Sequence, residues 1–267
     1  MCVLIASPSQ RMEAHGREIQ LTYASHTRND NSRLKRLVHR RRLVDALNLA
    51  RQIPDPRNIV DFGAGDGDVC CHLADVFSNA RLYCYEPAEH LRAEAVQQCA
   101  ARSSISVVDT TDHLPDGCAD LVFCAEVFEH LPPAETDAAF AEIRRLIGVD
   151  GHAIISVPAE IYLAGLAKGC FRFLRRRGQF DAQPGNILRA SLGLRITDRP
   201  IGQIAAGLAY HFHHTGFDYR QFELRLSEAF TVTRSVGSPC RWLPLWMNSE
   251  VYFVLRPRAA STRRVAA

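Results

Sequence analysis

Residues 60–68, with the sequence VDFGAGDGD, constrain the possible folds of this chain more than any other stretch. An apolar run leads into three glycines at alternate positions, and a helical pattern follows. Glycine permits positive φ angles and a close approach of the backbone to a ligand, and the start of a helix presents free N–H groups. The stretch therefore predicts a strand, a ligand-binding turn and a helix in succession.

The acidic residues of this turn indicate the kind of ligand. A dinucleotide-binding turn of the G-x-G-x-x-G type needs glycine where this chain has Asp68. Asp61, Asp66 and Asp68 would repel a pyrophosphate at the helix N-terminus, but they suit a positively charged ligand without phosphates. An NAD-dependent oxidoreductase is kept as an alternative, which Asp68 disfavours.

Apolar runs alternate with helical patterns along most of the chain. Predicted strands cover residues 58–62, 81–85, 105–108, 120–125 and 152–157, and predicted helices cover 68–76, 89–99 and 135–146. After Pro158 the alternation stops for about fifty residues, and then a helix at 218–227 and strands at 231–235 and 250–255 complete it. This order favours an α/β fold with a mostly parallel sheet and helices on both faces.

Four motifs in order resemble those of class I S-adenosylmethionine-dependent methyltransferases. The D-x-G-x-G-x-G turn resembles the first motif, and the stretch YCYE places Glu86 at the end of the second predicted strand. Asp109 follows the third strand, with Asp112 as its competitor, and DLVFCAEVFEHLP at 120–132 resembles the fourth-strand motif of the small-molecule branch, the methyltransferase types 11 and 12. The resemblance is close over residues 33–158 and loose over 211–256.

The resemblance implies a Rossmann-like seven-stranded sheet, mostly parallel with an antiparallel last strand, and an inserted cap after the fifth strand. The expected division is a flexible N-terminus (1–30), a cofactor-binding core (31–158), the cap (159–210), a return to the core sheet (211–256) and a basic C-terminal tail (257–267).

The resemblance also implies S-adenosylmethionine as the cofactor. The expected binding residues form the turn after the first strand and the ends of the next three: Asp61, Gly63, Ala64, Gly65, Asp66, Gly67, Glu86, Asp109, Asp112 and Glu126. In the family, the acid at the position of Glu86 binds the ribose hydroxyls, and an acid at the end of the third strand often contacts adenine. Asp109 and Asp112 both remain candidates for the second role.

Methyl transfer by direct displacement needs alignment of the acceptor more than covalent help, but a hydroxyl acceptor benefits from a general base. The candidates are His130, in the E-H-L motif, and the cluster His211, His213 and His214, of which we single out His214. A packing role for these imidazoles is the alternative. We expect O-methylation of a small-molecule, lipid or glycan acceptor, and no metal centre.

Features of other methyltransferase classes are absent from the sequence. The fourth strand ends in Cys-Ala-Glu-Val. It therefore lacks the Asn- or Asp-Pro-Pro-aromatic turn with which adenine amino-methylases hold a flipped base. The sequence also lacks a recognisable paired-glutamate loop of the protein arginine methyltransferases. Nucleic acid is therefore not expected as a partner.

The net charge of +3 conceals an uneven distribution. Residues 53–143 carry 17 acidic and 4 basic residues, a net charge of −13, whereas the remainder carries 12 acidic and 28 basic residues, a net charge of +16. The acidic part coincides with the expected cofactor-binding half, and the basic residues collect at 33–42, 172–177 and 256–264. The sequence therefore predicts an anionic acceptor.

Basic amphipathic stretches are predicted at residues 33–52 and 161–177. The second is either a cap helix that packs on the domain, or an interfacial helix that docks on anionic lipid or holds an acidic substrate. Nine cysteines without a Cys-x-x-Cys pair favour a reduced, cytoplasmic protein. We therefore expect a cytoplasmic enzyme, with peripheral contact at the inner membrane face as the open alternative. A cofactor-binding scaffold without turnover also remains an alternative.

Overall fold

The computed structural model describes residues 33–175 and 177–258, with side chains from residue 40 onward. Contacts divide the chain into residues 1–40 and residues 41–267. The described part of the first unit is the start of one helix. The expected flexible segment 1–30 and residues 259–267 of the expected basic tail lie outside the described residues.

Helices and strands alternate as the sequence predicts. The helices are α1 (Arg33–Ala50), α2 (Asp68–Val76), α3 (Glu89–Cys99), α4 (Pro133–Leu146), α5 (Tyr162–Arg175), α6 (Pro184–Ser191) and α7 (Tyr219–Ala229). The strands are β1 (Asn58–Phe62), β2 (Arg81–Tyr85), β3 (Ile105–Val108), β4 (Ala119–Ala125), β5 (Ile147–Pro158), β6 (Gly202–Ala205), β7 (Leu208–Tyr210), β8 (Phe230–Ser238) and β9 (Glu250–Pro257).

Seven of these strands form one sheet in the order β3-β2-β1-β4-β5-β9-β8. The pairs among β1 to β5 are parallel, whereas β9 runs antiparallel to both β5 and β8. The strand order reverses between β1 and β4, and ligands of open α/β sheets bind at such a point, beyond the carboxyl ends of the strands. The expected fold class, with its antiparallel last strand, is confirmed.

Alternate residues of each strand face two separate cores. Ile59 and Ile154 pack with apolar residues of α1, α2 and α3 on one face. Val60 and Ile155 pack with residues of α4 and α7 on the other. Because successive strand residues point to opposite faces, helices must cover both sides of the sheet, as predicted.

The fifth strand is longer than predicted, because it begins directly where α4 ends. Ile147 pairs with Ala119, and after an irregularity the register resumes at His152 opposite Leu121. Gly151 allows this crowded start, since a Cβ there would lie 2.7 Å from the carbonyl oxygen of Ala119.

The segment between β5 and α7 contains two helices and a separate two-stranded hairpin. Helices α5 and α6 pack together, and β6 pairs antiparallel with β7. This segment occupies the place where a cap was predicted, although the domain boundaries themselves stay predictions. None of the described helices combines the length and the apolar character of a membrane span.

Candidate active site

The glycine-rich turn after β1 has the backbone conformation that its sequence predicts. Gly63, Gly65 and Gly67 have φ angles of 75°, 58° and 81°. The N–H groups of Gly63 and Ala64 donate to the carbonyl oxygen of Tyr85 at the end of β2, both at 2.9 Å. These bonds fasten the turn to the neighbouring strand at the carboxyl edge of the sheet.

The three glycines serve different purposes. A Cβ at Gly63 would lie 2.6 Å from the Val127 side chain, and a Cβ at Gly67 would lie 2.9 Å from the Cys99 Sγ. These two glycines allow the turn to pack closely against its neighbours. A Cβ at Gly65 would meet nothing within 4 Å, so this side of the turn is open to a ligand.

Asp61 lies beneath the turn with 2% of its surface exposed. Its Oδ2 atom has no hydrogen-bond partner among the described residues. Burial, together with the nearby Cys99, Glu86 and Asp66, raises the pKa of Asp61 to about 8. The pocket thus contains an acid without a cationic partner.

Glu86 follows β2 and is also buried. Its two oxygens accept hydrogen bonds from the N–H groups of Gly65 and Ala88, each at 2.8 Å. Burial raises the pKa of Glu86, and these two N–H groups oppose the shift only in part. The sequence-predicted residues Asp61, Gly65 and Glu86 are therefore brought together at one edge of the sheet.

The two candidates for adenine contact lie farther out along the same edge. Asp109 directly follows β3, and Asp112 lies in the next turn; both are exposed. The alternative between them stays open. Asp66 caps the helix start by accepting a hydrogen bond from the Asp68 N–H at 3.1 Å.

Glu126 follows β4 in an unusual conformation, and its partner was not predicted. Its φ angle is 53°, a strained value for a residue other than glycine, and such strain is common at functional sites. The Glu126 carboxylate forms an ion pair with Arg42 of α1, which also lies 3.2 Å from Glu250 of β9. Burial would raise the pKa of Glu126, but Arg42, His214 and Lys168 together outweigh burial and lower it.

Glu160, after β5, forms a second buried ion-pair group. The Arg172 guanidinium donates to both of its oxygens at 2.7 and 3.0 Å, and Lys168 donates to Oε1 at 2.9 Å. Burial would raise the pKa of Glu160, but Lys168 and Arg172 lower it strongly. Arg172 thus faces the protein interior, whereas the sequence analysis counted it within an outward basic cluster.

His130 is held in one orientation by its neighbours. Its Nδ1 atom lies 2.7 Å from the carbonyl oxygen of His211, and its ring stacks on Tyr210 with centroids 4.3 Å apart. A carbonyl oxygen only accepts, so Nδ1 carries the proton and Nε2 keeps a lone pair. Burial lowers the pKa of His130 to about 3, so the ring is neutral near pH 7.

His214 lies next to His130, with ring centroids 4.7 Å apart. Burial lowers its pKa to about 4, although Glu160 and Glu126 favour the charged form. His213 instead lies 3.6 Å from Asp181, and His211 bonds to the carbonyl oxygen of Pro200. Of the predicted histidine cluster, the structure therefore places the His214 ring next to His130.

Several residues at this edge were missed by sequence reasoning. Arg42, Lys168 and Arg172 lie on helices whose basic residues suggested an outer surface, and Glu250 begins a strand more than one hundred residues after Glu126. Periodicity could show that these helices are amphipathic. It could not show which cations turn toward buried carboxylates, because that depends on contacts distant in sequence.

Comparison with known proteins supports the interpretation of this site. Residues 60–155 match the sequence model of a methyltransferase domain family. A curated relative, the malonyl-[acyl-carrier protein] O-methyltransferase of Geobacter sulfurreducens, is 34% identical over 100 residues. The matched segment covers 36% of this chain and 37% of that relative, so the chain spans little more than a third of its length.

Solved structures share the fold over most of the chain. A Pyrococcus horikoshii OT3 protein covers 90% of this chain and 99% of its own with a TM-score of 0.57 and 16% identity. The 1,6-didemethyltoxoflavin-N1-methyltransferase of Burkholderia thailandensis, solved with S-adenosylhomocysteine, covers 96% and 93% with a TM-score of 0.53 and 15% identity.

The N-methyltransferase NodS of Bradyrhizobium japonicum WM9, also solved with S-adenosylhomocysteine, covers 90% of this chain and 95% of its own, with a TM-score of 0.55 and 17% identity. These likenesses concern the fold. The family match covers residues 60–155, and the motif residues and the strand order agree with a methyltransferase domain there.

Proposed function

We propose that this protein is an enzyme that transfers the methyl group of S-adenosylmethionine to an oxygen of a small-molecule, lipid or glycan acceptor. The observation that carries the proposal is a pair of buried carboxyl groups at the glycine-rich turn, Asp61 and Glu86, neither of which forms an ion pair with a described arginine or lysine. Both lie inside the segment that matches the methyltransferase domain family. A sulfonium cation suits such a pocket, and a pyrophosphate does not.

The cofactor is assigned to the carboxyl edge of β1, β2 and β3. Asp61 and residues 63–67 shape the methionine side, Glu86 binds the ribose hydroxyls, and Asp109 or Asp112 contacts adenine. Glu86 already uses its oxygens on backbone N–H groups. A carboxylate has about four lone-pair sites, so it keeps capacity to accept from two hydroxyls.

The acceptor is assigned to the space beneath the cap. His130 and His214 lie there with imidazole rings in contact, and the Nε2 lone pair of His130 or a ring nitrogen of neutral His214 is chemically able to take a hydroxyl proton. The name of the Geobacter sulfurreducens relative, an O-methyltransferase, supports an oxygen acceptor.

We also propose an anionic acceptor, but fewer basic residues face outward than the charge distribution of the sequence suggested. Arg42, Lys168 and Arg172 pair with internal carboxylates. The outward cations are therefore Arg175, Arg177, Arg189 and Arg195 of the cap, whose exposed positions flank α5 and α6. These residues, rather than the whole basic stretch, are assigned to an anionic acceptor.

Apolar side chains of the same cap favour a lipid among the acceptor classes. A groove of about 560 Å³ is lined by Tyr162, Leu163, Leu166, Ser191 and Trp246. Trp242 is 82% exposed nearby in sequence, and Leu174 is 73% exposed. Aromatic and aliphatic groups beside arginines are typical of peripheral membrane contact, which we propose for a cytoplasmic protein.

The test is a transfer assay with S-adenosylmethionine that carries a trideuterated methyl group. The purified protein is incubated separately with bacterial lipid, glycan and small-molecule extracts, and mass spectrometry locates the label. The proposal expects label on oxygen in one extract, and a Glu86→Ala variant that transfers at least tenfold less. Glu89→Gln, an exposed change three residues away, is the control.

Two outcomes would contradict the proposal. Label on nitrogen would overturn O-methylation while leaving the enzyme class intact. Cofactor binding without label in any extract would instead favour the alternative of a scaffold that binds S-adenosylmethionine without turnover.

A further inference from the structure

Glu129 stands apart from the other carboxylates near the ends of β4 and β5. Glu126 and Glu250 face Arg42, and Glu160 faces Lys168 and Arg172. Glu129 has 0% of its surface exposed, and neither of its oxygens accepts a hydrogen bond from another described residue. An unpartnered buried carboxyl group costs several kcal/mol unless a ligand or a proton compensates it, so its presence needs an explanation.

Two imidazoles complete a possible ligand set around this carboxyl group. The Nε2 atom of His130 lies 3.8 Å from Glu129 Oε1, and each of Glu129, His130 and His214 offers a ligand atom within 4.8 Å of the others. Ligand atoms around a tetrahedral ion with bonds of about 2.1 Å lie about 3.4 Å apart. Small side-chain movements would therefore bring the three groups to bonding distance.

The surroundings of His130 are those of a metal ligand. Its Nδ1–H donates to the His211 carbonyl oxygen at 2.7 Å, so the Nε2 lone pair points away from that bond. In metal sites, ligating imidazoles commonly donate their second N–H in this way, which fixes the tautomer. Stacking on Tyr210 further restricts the ring.

The nearby guanidinium of Arg199 does not pair with the Glu129 carboxylate. Arg199 donates through Nη2 to the carbonyl oxygens of Glu129 and His213, at 2.6 and 2.8 Å. No ion pair joins Arg199 to the Glu129 carboxylate in the part of the chain that the structure describes. His214, whose side chain is 20% exposed, leaves the cluster open on one side.

We propose that Glu129, His130 and His214 bind one divalent first-row transition-metal ion that holds the acceptor oxygen. Two nitrogen ligands and one carboxylate, with an open fourth position, are a common catalytic set for such ions. This departs from the sequence-based expectation of no metal centre. The acceptor role rests on the proposed function, whereas the binding of the ion does not.

The chemistry of the step balances without another reactant. An acceptor hydroxyl that binds the ion loses its proton to solvent more readily, because the ion lowers its pKa. The resulting oxygen anion forms a bond to the methyl carbon, the carbon–sulfur bond breaks, and its electron pair stays on sulfur as S-adenosylhomocysteine leaves. The imidazoles then act as ligands in place of the general base considered above.

The experiment measures metal binding directly. The full chain is stripped with a chelator, equilibrated separately with Zn²⁺ or Mn²⁺, freed of unbound ion and analysed by elemental mass spectrometry. Cobalt(II) is added in parallel, because its visible absorption depends on the ligands that surround it. We expect one ion per chain, and at least a hundredfold weaker binding in both Glu129→Gln and His214→Gln.

The matched control is His213→Gln, one residue away and outside the cluster, which should bind the ion as the unmodified protein does. Binding of S-adenosylmethionine by each variant checks the fold independently of the metal. Loss of cofactor binding in the unmodified chain would count against the proposed function alone. The metal site would be overturned if the unmodified chain bound fewer than roughly 0.2 ions per chain. It would also be overturned if His214→Gln and His213→Gln bound the ion equally well.

Discussion

Buried acids occur in two regions of this protein, and the two regions neutralise them differently. Around the glycine-rich turn, Asp61 and Glu86 have raised pKa values, and no arginine or lysine of the described residues forms an ion pair with either. At the ends of β4 and β5, Glu126 and Glu160 have lowered pKa values because Arg42, Lys168 and Arg172 lie against them.

The difference separates carboxylates that form internal ion pairs from carboxyl groups that are open to a cationic ligand. Lys168 and Arg172 make the Glu160 carboxylate part of the folded structure, so loss of that carboxylate should reduce stability. The carboxyl groups at the turn lack such partners, so they are available to a cation from outside. The predictions below separate these two roles by measuring stability and ligand affinity in matched variants.

The largest effect is expected beneath the cap. Glu160→Gln leaves Lys168 and Arg172 without their buried partner, and removal of one member of a buried ion pair lowers the free energy of unfolding by about 3 kcal/mol. Chemical denaturation measures the change. Asp137→Asn, which removes an exposed partner of Arg225, is the control and should cost less than about 1 kcal/mol.

At the turn, the corresponding change should affect affinity more than stability. Glu86→Gln keeps the shape of the side chain but weakens charge-assisted hydrogen bonds to the ribose, so affinity for S-adenosylmethionine should fall by about tenfold or more. Calorimetric titration measures the affinity, and Glu89→Gln is the control. Equal affinity in both variants would show that Glu86 only fastens the turn.

The pKa of Asp61 should make both the stability of the protein and its affinity for S-adenosylmethionine depend on pH. Its pKa of about 8 lies far above that of an unfolded aspartate, so the folded protein retains a proton that the unfolded chain releases. The stability contributed by neutral Asp61 is therefore complete below about pH 4 and is lost as pH rises through about 8.

A cationic cofactor favours the ionised form of Asp61, so affinity should rise severalfold between pH 6 and pH 9. Titrations at several pH values test this, and Asp61→Asn should flatten the profile. Asp75→Asn, an exposed change on α2, should leave it intact. A profile that is unchanged in Asp61→Asn would assign the pH dependence to the cofactor amine instead.

The smallest effect concerns the outer surface of the cap. Replacing Arg175 and Arg177 by Ser should reduce the apparent acceptor affinity a few fold and remove most of its dependence on salt, because exposed charges are screened near 0.15 M. Flotation with anionic liposomes tests the membrane contact in the same variant. A turnover rate that does not change between low and physiological ionic strength would contradict an anionic acceptor.

The sequence predicted the sheet well, because its signals are local. Local patterns predict the conformation of each element, as in the apolar run at Asn58–Phe62, the glycines that follow it and the helical pattern of Glu89–Cys99. The start of β5 was placed too late, because Gly148 and Gly151 obscure a strand that begins without a connecting loop. The hairpin of β6 and β7 was missed, since strands of three or four residues give little pattern.

The site was predicted in part for the same reason. Asp61, the glycines and Glu86 belong to motifs that end consecutive strands, and the structure brings them together. The role of Arg42 depends on Glu126, which is 84 residues away in the chain. Pairing at that distance leaves no periodic signal, so the same basic helix was interpreted as an outer surface.

The central claim is that the glycine-rich turn forms a pocket for a phosphate-free cation. Calorimetric titration of the purified chain with S-adenosylmethionine and, separately, with NAD tests it most directly. We expect saturable binding of S-adenosylmethionine and no binding of NAD at millimolar concentration. Binding of NAD, or no heat with S-adenosylmethionine from folded protein, would contradict it.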